Sequence, residues 1–149
     1  MSEHAKSKLQ SILAKDIMTE DVVVINQKML IGQVAHLMLR ERVSGYPIVD
    51  ESGKVCGIVT LSDLFVLINN LFKQTQGMDI SVLISECKNR PIAEIMSKNV
   101  KTILQTTPLT EIIEDVVKLN IHTFPVMDND KLVGIIGRHD VLNATFVYG

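Results

Sequence analysis

Tryptophan is absent and aromatic residues make up 4% of the 149-residue chain, which removes the stacking platforms on which single-stranded nucleic acids are read. Excess charge of either sign is missing too. Fifteen basic and seventeen acidic residues leave a net charge of −2, with no run of Lys or Arg, so no nucleic-acid partner is expected. The longest uninterrupted apolar stretch, Leu64 to Ile68, is far short of a membrane span. Lys6 and Lys8 near the N-terminus are followed by no apolar targeting region or small-residue cleavage site. These absences predict a cytoplasmic protein with no membrane partner. Cys56 and Cys87 lack CxxC spacing and read as small hydrophobes in a reducing compartment.

What the chain does have is a duplication, supported by 46% hydrophobic residues, enough for one compact core or two small units. Ile17-Met18-Thr19 reappears as Ile95-Met96-Ser97, Tyr46-Pro47-Ile48-Val49-Asp50 as Phe124-Pro125-Val126-Met127-Asp128, and Gly57-Ile58-Val59 with Asp63 as Gly134-Ile135-Ile136 with Asp140. The offset is 78 residues from Met18 to Met96 and from Pro47 to Pro125, and 77 from Gly57 to Gly134. The lost residue falls in a turn, where Glu51-Ser52-Gly53-Lys54 faces Asn129-Asp130-Lys131. Neither copy is long enough to enclose a core alone, so two supersecondary units packed with pseudo-two-fold symmetry are expected, with paired clefts between them.

Each copy reads as β-α-β-β-α. Leu9, Ile12 and Leu13 predict a short amphipathic helix ahead of the first copy, within residues 1–15. Val22 to Ile25 reads as a buried strand, and Ile31, Val34, Ala35 and Met38 recur at helical spacing. Tyr46 to Val49 and Val55 to Thr60 form a hairpin, with Gly57 marking a close backbone approach or a bulge. Ser62 to about Leu71 is a helix apolar on most sides, which calls for a second covering surface. The second copy repeats this order with strands near Val100 to Leu104, Thr123 to Met127 and Leu132 to Ile136, and helices over Leu109 to Leu119 and from Arg138. Thr107 is expected to cap the former, with Pro108 at its first position. The connector contains Gly77 and an apolar Ile80 to Ile84 suited to a short helix or strand, so the copies divide as 16–77 and 78–149.

No nucleophile–base pair, glycine-rich phosphate loop or enclosed acid pair emerges, so no catalytic residues and no enzyme are expected. His36 and His122 have no second ligand at metal-binding spacing, and no metal site is expected. The methionines sit at core-like positions. Thr60 with Asp63 has the spacing of a capping box, a hydroxyl at the helix start and an acid three residues later. Asp140 reads the same way, with Gly137 as the cap. Tyr46 and Phe124 read as core residues at strand starts ahead of any role as stacking surfaces.

Taken together, the duplicated I-M-T/S, aromatic-Pro-V/I-h-D and G-I-V/I landmarks resemble a tandem pair of CBS (cystathionine-β-synthase) domains, a Bateman module, over about residues 16 to 146. The resemblance implies an α+β regulatory fold without catalytic machinery. It also implies adenosine-containing ligands in the clefts between the copies and a homodimer formed through the helices. In the first copy Gly57-Ile58-Val59-Thr60-Leu61-Ser62-Asp63 matches the family's G-h-h-T/S-x-x-D, which gives Asp63 the ribose hydroxyls and Thr60 the ribose or phosphate. A carboxylate can accept from both vicinal hydroxyls, and helix-start N–H groups near Thr60 and Ser62 suit a phosphate. Adenine is expected along Thr19, Val22 and Val24 and the segment Ser44-Gly45-Tyr46-Pro47, with Tyr46 as the stacking surface, and in the second copy by Ser97, Val100, Phe124 and Pro125.

The second copy keeps Asp140 but has Gly137 in place of the hydroxyl, with Arg138 and His139 as compensating phosphate contacts, so two unequal sites are expected. The resulting expectation is a free-standing regulatory module. It needs no cofactor, binds AMP, ADP, ATP or S-adenosylmethionine as a regulatory ligand, and signals to a separate effector protein. The alternative is a structural dimerisation module whose degenerate clefts stay empty.

Overall fold

A computed structural model describes residues 3–43, 45–75 and 77–147. The elements run α1 (Glu3–Ser11), α2 (Ala14–Ile17), β1 (Ile25–Asn26), α3 (Ile31–Glu41), β2 (Gly45–Val49), β3 (Val55–Thr60), α4 (Leu61–Gln74) and α5 (Ile80–Lys88). A 3-10 turn (Ile92–Glu94) then leads to β4 (Ile103–Leu104), α6 (Leu109–Leu119), β5 (Thr123–Asp128), β6 (Lys131–Gly137) and α7 (Arg138–Phe146). This is an α+β chain with two three-stranded sheets, ordered β1-β2-β3 and β4-β5-β6, each with one parallel and one antiparallel pairing. Both hairpins carry a register irregularity at equivalent places, Ile48/Val49 and Val126/Met127.

The chain forms two compact units that do not follow the linear split at 77/78: one is Val23–Val100, the other combines Met1–Val22 with Lys101–Gly149. The cause is an exchange of leading segments. In the discontinuous unit Ala14 N donates to Thr107 O (2.8 Å), Lys15 N to Gln105 O (2.9 Å) and Leu109 N to Ile12 O (2.8 Å). The continuous unit repeats the pattern, with Ile92 N to Met29 O (2.7 Å), Ala93 N to Gln27 O (3.1 Å) and Ile31 N to Arg90 O (2.9 Å). The connector helix α5 is therefore the counterpart of α1. Leu9 on α1 and Cys87 on α5 are both buried, as are Ala14 and Ile92 behind them.

Four local expectations are corrected. The first helix stops at Ser11 instead of running to residue 15, because the Ile12 carbonyl accepts from Leu109 and Leu13 forms a bridge with Pro108. The strand expected over Val22 to Ile25 shrinks to Ile25–Asn26; Val23 and Val24 are 38% and 40% exposed, because only the last two residues find a ladder partner on β2. The strand near Val100 likewise shortens to Ile103–Leu104. Thr107 does not cap α6: its Oγ1 accepts from Leu104 N at 3.0 Å and ties off the preceding turn.

Each unit has its own core. Ile25, Val34, Met38, Tyr46, Ile48 and Val59 anchor the continuous unit, and Leu109, Ile112, Phe124, Val126 and Ile136 the other. Both cysteines are free thiols of the continuous unit, and burial pushes each thiol upward.

Candidate functional site: two helix starts with equivalent carboxylates

The strand β3 runs straight into α4 and β6 into α7, and the same geometry recurs at both junctions. Thr60 and Gly137 are extended, at φ −126°, ψ 169° and φ −108°, ψ 175°, so the chain turns into each helix at the residue where the ladder ends. Asp63 Oδ2 accepts from Thr60 N at 2.7 Å and from Thr60 Oγ1 at 3.2 Å. Asp140 Oδ2 accepts from Gly137 N at 2.7 Å.

Both carboxylates thus turn back onto their own main chain and occupy one oxygen in capping, which satisfies an otherwise orphaned donor. The device is local: Asp16 Oδ2 accepts from Leu13 N (2.9 Å) and Gln33 Oε1 from Leu30 N (3.0 Å) in the same way. Among the described residues no hydrogen bond reaches Oδ1 of Asp63 or Asp140, and both residues are half-buried. Each junction therefore presents a carboxylate oxygen that is free to accept, beside the N–H groups of a helix start.

Around these two carboxylates Ser62, Arg138 and His139 are exposed and Thr60 is half-buried. A Cβ added at Gly137 would make ordinary van der Waals contact with Asp140 Oδ2 at 3.8 Å and the His122 carbonyl at 4.0 Å, so a side chain can be accommodated there.

The expected adenine residues fare differently. Tyr46 is 2% exposed and Phe124 is fully buried; both rings belong to their units' cores, so neither offers a stacking face. The Tyr46 hydroxyl lies 3.5 Å from the Leu37 carbonyl; burial, reinforced by the Glu41 carboxylate, pushes its pKa up to about 12. Pro47 and Pro125 are buried beside them. Ser44 lies outside the described residues.

Thr19, expected beside the first copy's strands, pairs instead with β6, exchanging hydrogen bonds of 2.9 and 3.0 Å with Ile135. Ser97 does the same on β3, at 2.8 and 2.9 Å with Ile58. The half-buried Val22 belongs with Thr19 in the discontinuous unit, while Val24 and the half-buried Val100 belong to the continuous one. The preceding methionines explain the strand glycines. A Cβ on Gly57 would lie 2.5 Å from Met96 Sδ, and one on Gly134 would lie 2.5 Å from Met18 Sδ. This exchange of segments was missed by sequence reasoning. Its one signal was the continuation of the 78-residue offset through Leu9/Cys87 and Ala14/Ile92.

The fold and these duplicated junctions define a paired-repeat module of a known kind, and the CBS domain profile matches the chain twice, over residues 14–70 and 92–146. The chain belongs to the CBS domain family and carries a tandem CBS pair. It is 28% identical over 141 residues to L-aspartate semialdehyde sulfurtransferase of Methanocaldococcus jannaschii, covering 94% of this chain and 24% of that enzyme. The chain spans about a quarter of the length of the curated enzymes it matches. Among solved structures it resembles the CBS domain pair of protein MJ0100 in complex with 5′-methylthioadenosine and S-adenosyl-L-methionine. The TM-score is 0.71 at 26% identity, covering 93% of this chain and 98% of that one. It also resembles CBSX2 in complex with AMP, with a TM-score of 0.74 at 23% identity, covering 93% and 98% of the two chains. No helix among the described residues is long and apolar enough to cross a membrane.

Proposed function

We propose that this CBS pair is a non-catalytic regulatory module that binds an adenosine-containing ligand, with Asp63 as the principal ribose acceptor. The observation that carries this reading is the likeness to the MJ0100 domain pair, whose structure contains two adenosyl compounds, combined with a carboxylate oxygen left free at each helix start. Asp63 has two acceptor oxygens and two tasks: Oδ2 ties off α4, and Oδ1 takes the sugar. Thr60 and Ser62 serve the phosphate or ribose, and Asp140 with Arg138 and His139 forms a second, weaker site. With Tyr46 and Phe124 committed to the cores, the base at the Asp63 site is held by backbone edges and exposed aliphatic side chains such as Val24. The output passes from a cytoplasmic homodimer to a separate effector protein.

A thermal-shift panel of AMP, ADP, ATP, S-adenosylmethionine and methylthioadenosine tests this directly. At about 100 times its dissociation constant a ligand adds roughly 2.7 kcal/mol to stability, which for a chain of this size raises the melting point by about 5–10 °C. Flat curves across the panel from well-folded protein refute ligand sensing. They leave a structural dimerisation module, a reading favoured by one observation of its own. Leu61, Phe65, Ile68 and Phe72 form an i, i+4, i+7, i+11 stripe on α4 that is 38–70% exposed.

A further inference from the structure

The two compact units are held by sequence-equivalent contacts, yet the chain enters them differently. One is a single stretch, Val23–Val100; the other is built from two pieces, Met1–Val22 and Lys101–Gly149. While the continuous unit is folded, the 78 residues that link the two pieces of the other are part of a compact unit and not a free chain. With the continuous unit unfolded, joining those pieces closes a loop of 78 residues, 23 to 100, which costs roughly a thousandfold in equilibrium constant.

The discontinuous unit cannot do without its N-terminal piece. That piece supplies Leu9 and Ala14 to the core, covers Gly134 with Met18, and pairs Thr19 with the edge of β6 at Ile135. The continuous unit draws its counterparts, Cys87, Ile92, Met96 and Ser97, from within its own stretch.

We infer that folding of the continuous unit is the precondition for ordering of the discontinuous unit, so that the chain has one half-folded state and not two. In that state 23–100 remains intact while 1–22 and 101–149 are released. Asp63 then stands on the permanently ordered half, and Asp140, Arg138 and His139 on the conditional half. Where the ligand reading above holds, binding at Asp140 is coupled to folding and binding at Asp63 is not.

The test uses a matched pair of lesions in the full chain. Val59 on β3 and Ile136 on β6 are equivalent in sequence, and both are fully buried. Ile136→Asp is expected to preserve the dispersed amide resonances of α3, β2 and β3 while those of α6, β5 and β6 collapse; Val59→Asp is expected to abolish dispersion throughout. In the unaltered protein, native-state hydrogen exchange should show two tiers, with β5 and β6 core amides exchanging at least tenfold faster than those of β2 and β3. Retention of β5 and β6 in Val59→Asp, collapse of the whole chain in both variants, or one uniform exchange tier would each overturn the inference. None of these readouts involves a nucleotide, so they fail or succeed independently of ligand binding.

Discussion

Replacing Asp63 with Ala separates the two tasks assigned to its carboxylate. The substitution removes the hydrogen bonds from Thr60 N and Thr60 Oγ1 to Oδ2 and takes a negative charge from the first turn of α4. Loss of an N-terminal cap costs about 0.5–2 kcal/mol and loss of the helix-dipole interaction about 0.3–1 kcal/mol. A fall of about 1–2 kcal/mol lowers the melting point by roughly 2–8 °C. Asp16→Ala is the internal control: it breaks the same kind of bond, Leu13 N to Asp16 Oδ2 at 2.9 Å, at a helix start outside the G-h-h-T/S-x-x-D pattern. Both variants should therefore lose comparable stability. Their affinities should differ, because only Asp63 loses a charge-assisted bond to the ribose, worth about 1.5–3 kcal/mol or roughly 10- to 150-fold in the dissociation constant. Calorimetric titration with methylthioadenosine and AMP, well below both melting points, reads the difference. If Asp63→Ala binds as well as Asp16→Ala while melting equally early, the carboxylate is a cap and nothing more.

Four other outcomes follow from named contacts. Gly57→Ala and Gly134→Ala should each cost about 1–3 kcal/mol by forcing a Cβ against the Met96 or Met18 sulfur, and Gly57→Ala combined with Met96→Ala should cost less than the sum of the two single losses; additive losses would remove the steric account. Gly137→Thr restores the first-copy hydroxyl at a position that accommodates a Cβ without a clash and should strengthen the Asp140 site up to about tenfold, the worth of one added hydrogen bond, seen as a second titration step; an unchanged isotherm counts against a ligand role for that hydroxyl. Tyr46 is held protonated in the folded state, with its pKa up at about 12 against 10 when exposed, so its contribution is complete below pH 10 and is lost as pH rises toward 12. Tyr46→Phe should flatten the alkaline decline in melting point, and an identical decline in both proteins would refute that. Phe65→Asp places a charge in the exposed α4 stripe and should convert a sedimenting dimer to monomer, whereas an unaltered chain that is already monomeric at high micromolar concentration rules the stripe out as a dimer seam.

The elements governed by short-range physics were legible in the sequence. Periodicity alone marks α3 and α6, since Ile31, Val34 and Met38, like Leu109 and Ile112, are the positions that end up buried. The turn residues around Gly53 and Asn129, both at positive φ, mark the hairpins, and Thr60 with Asp63 marks the start of α4. What could not be read was pairing at a distance. Thr19 and Ser97 each hydrogen-bond to a strand of the opposite sequence copy, and nothing in a local window distinguishes an Ile-Met-Thr segment that docks on Ile58 from one that docks on Ile135.

That same limit separates what a carboxylate does in the free chain from what it can do with a ligand. Capping needs only residues three apart, so the sequence spacing suffices to mark it at Asp63 and Asp140 alike. Sugar binding needs an acceptor left over after capping, and it is the second carboxylate oxygen that decides whether one residue can serve both purposes. An amide in its place should keep the cap with its one oxygen and set an NH2 donor where the free acceptor stood, so that both the charge and the second acceptor are lost. Asp63→Asn is thus expected to melt within about 2 °C of the unaltered protein while binding adenosyl ligands roughly tenfold more weakly. A variant that melts early yet binds normally would mean that the charge serves the helix and not the sugar.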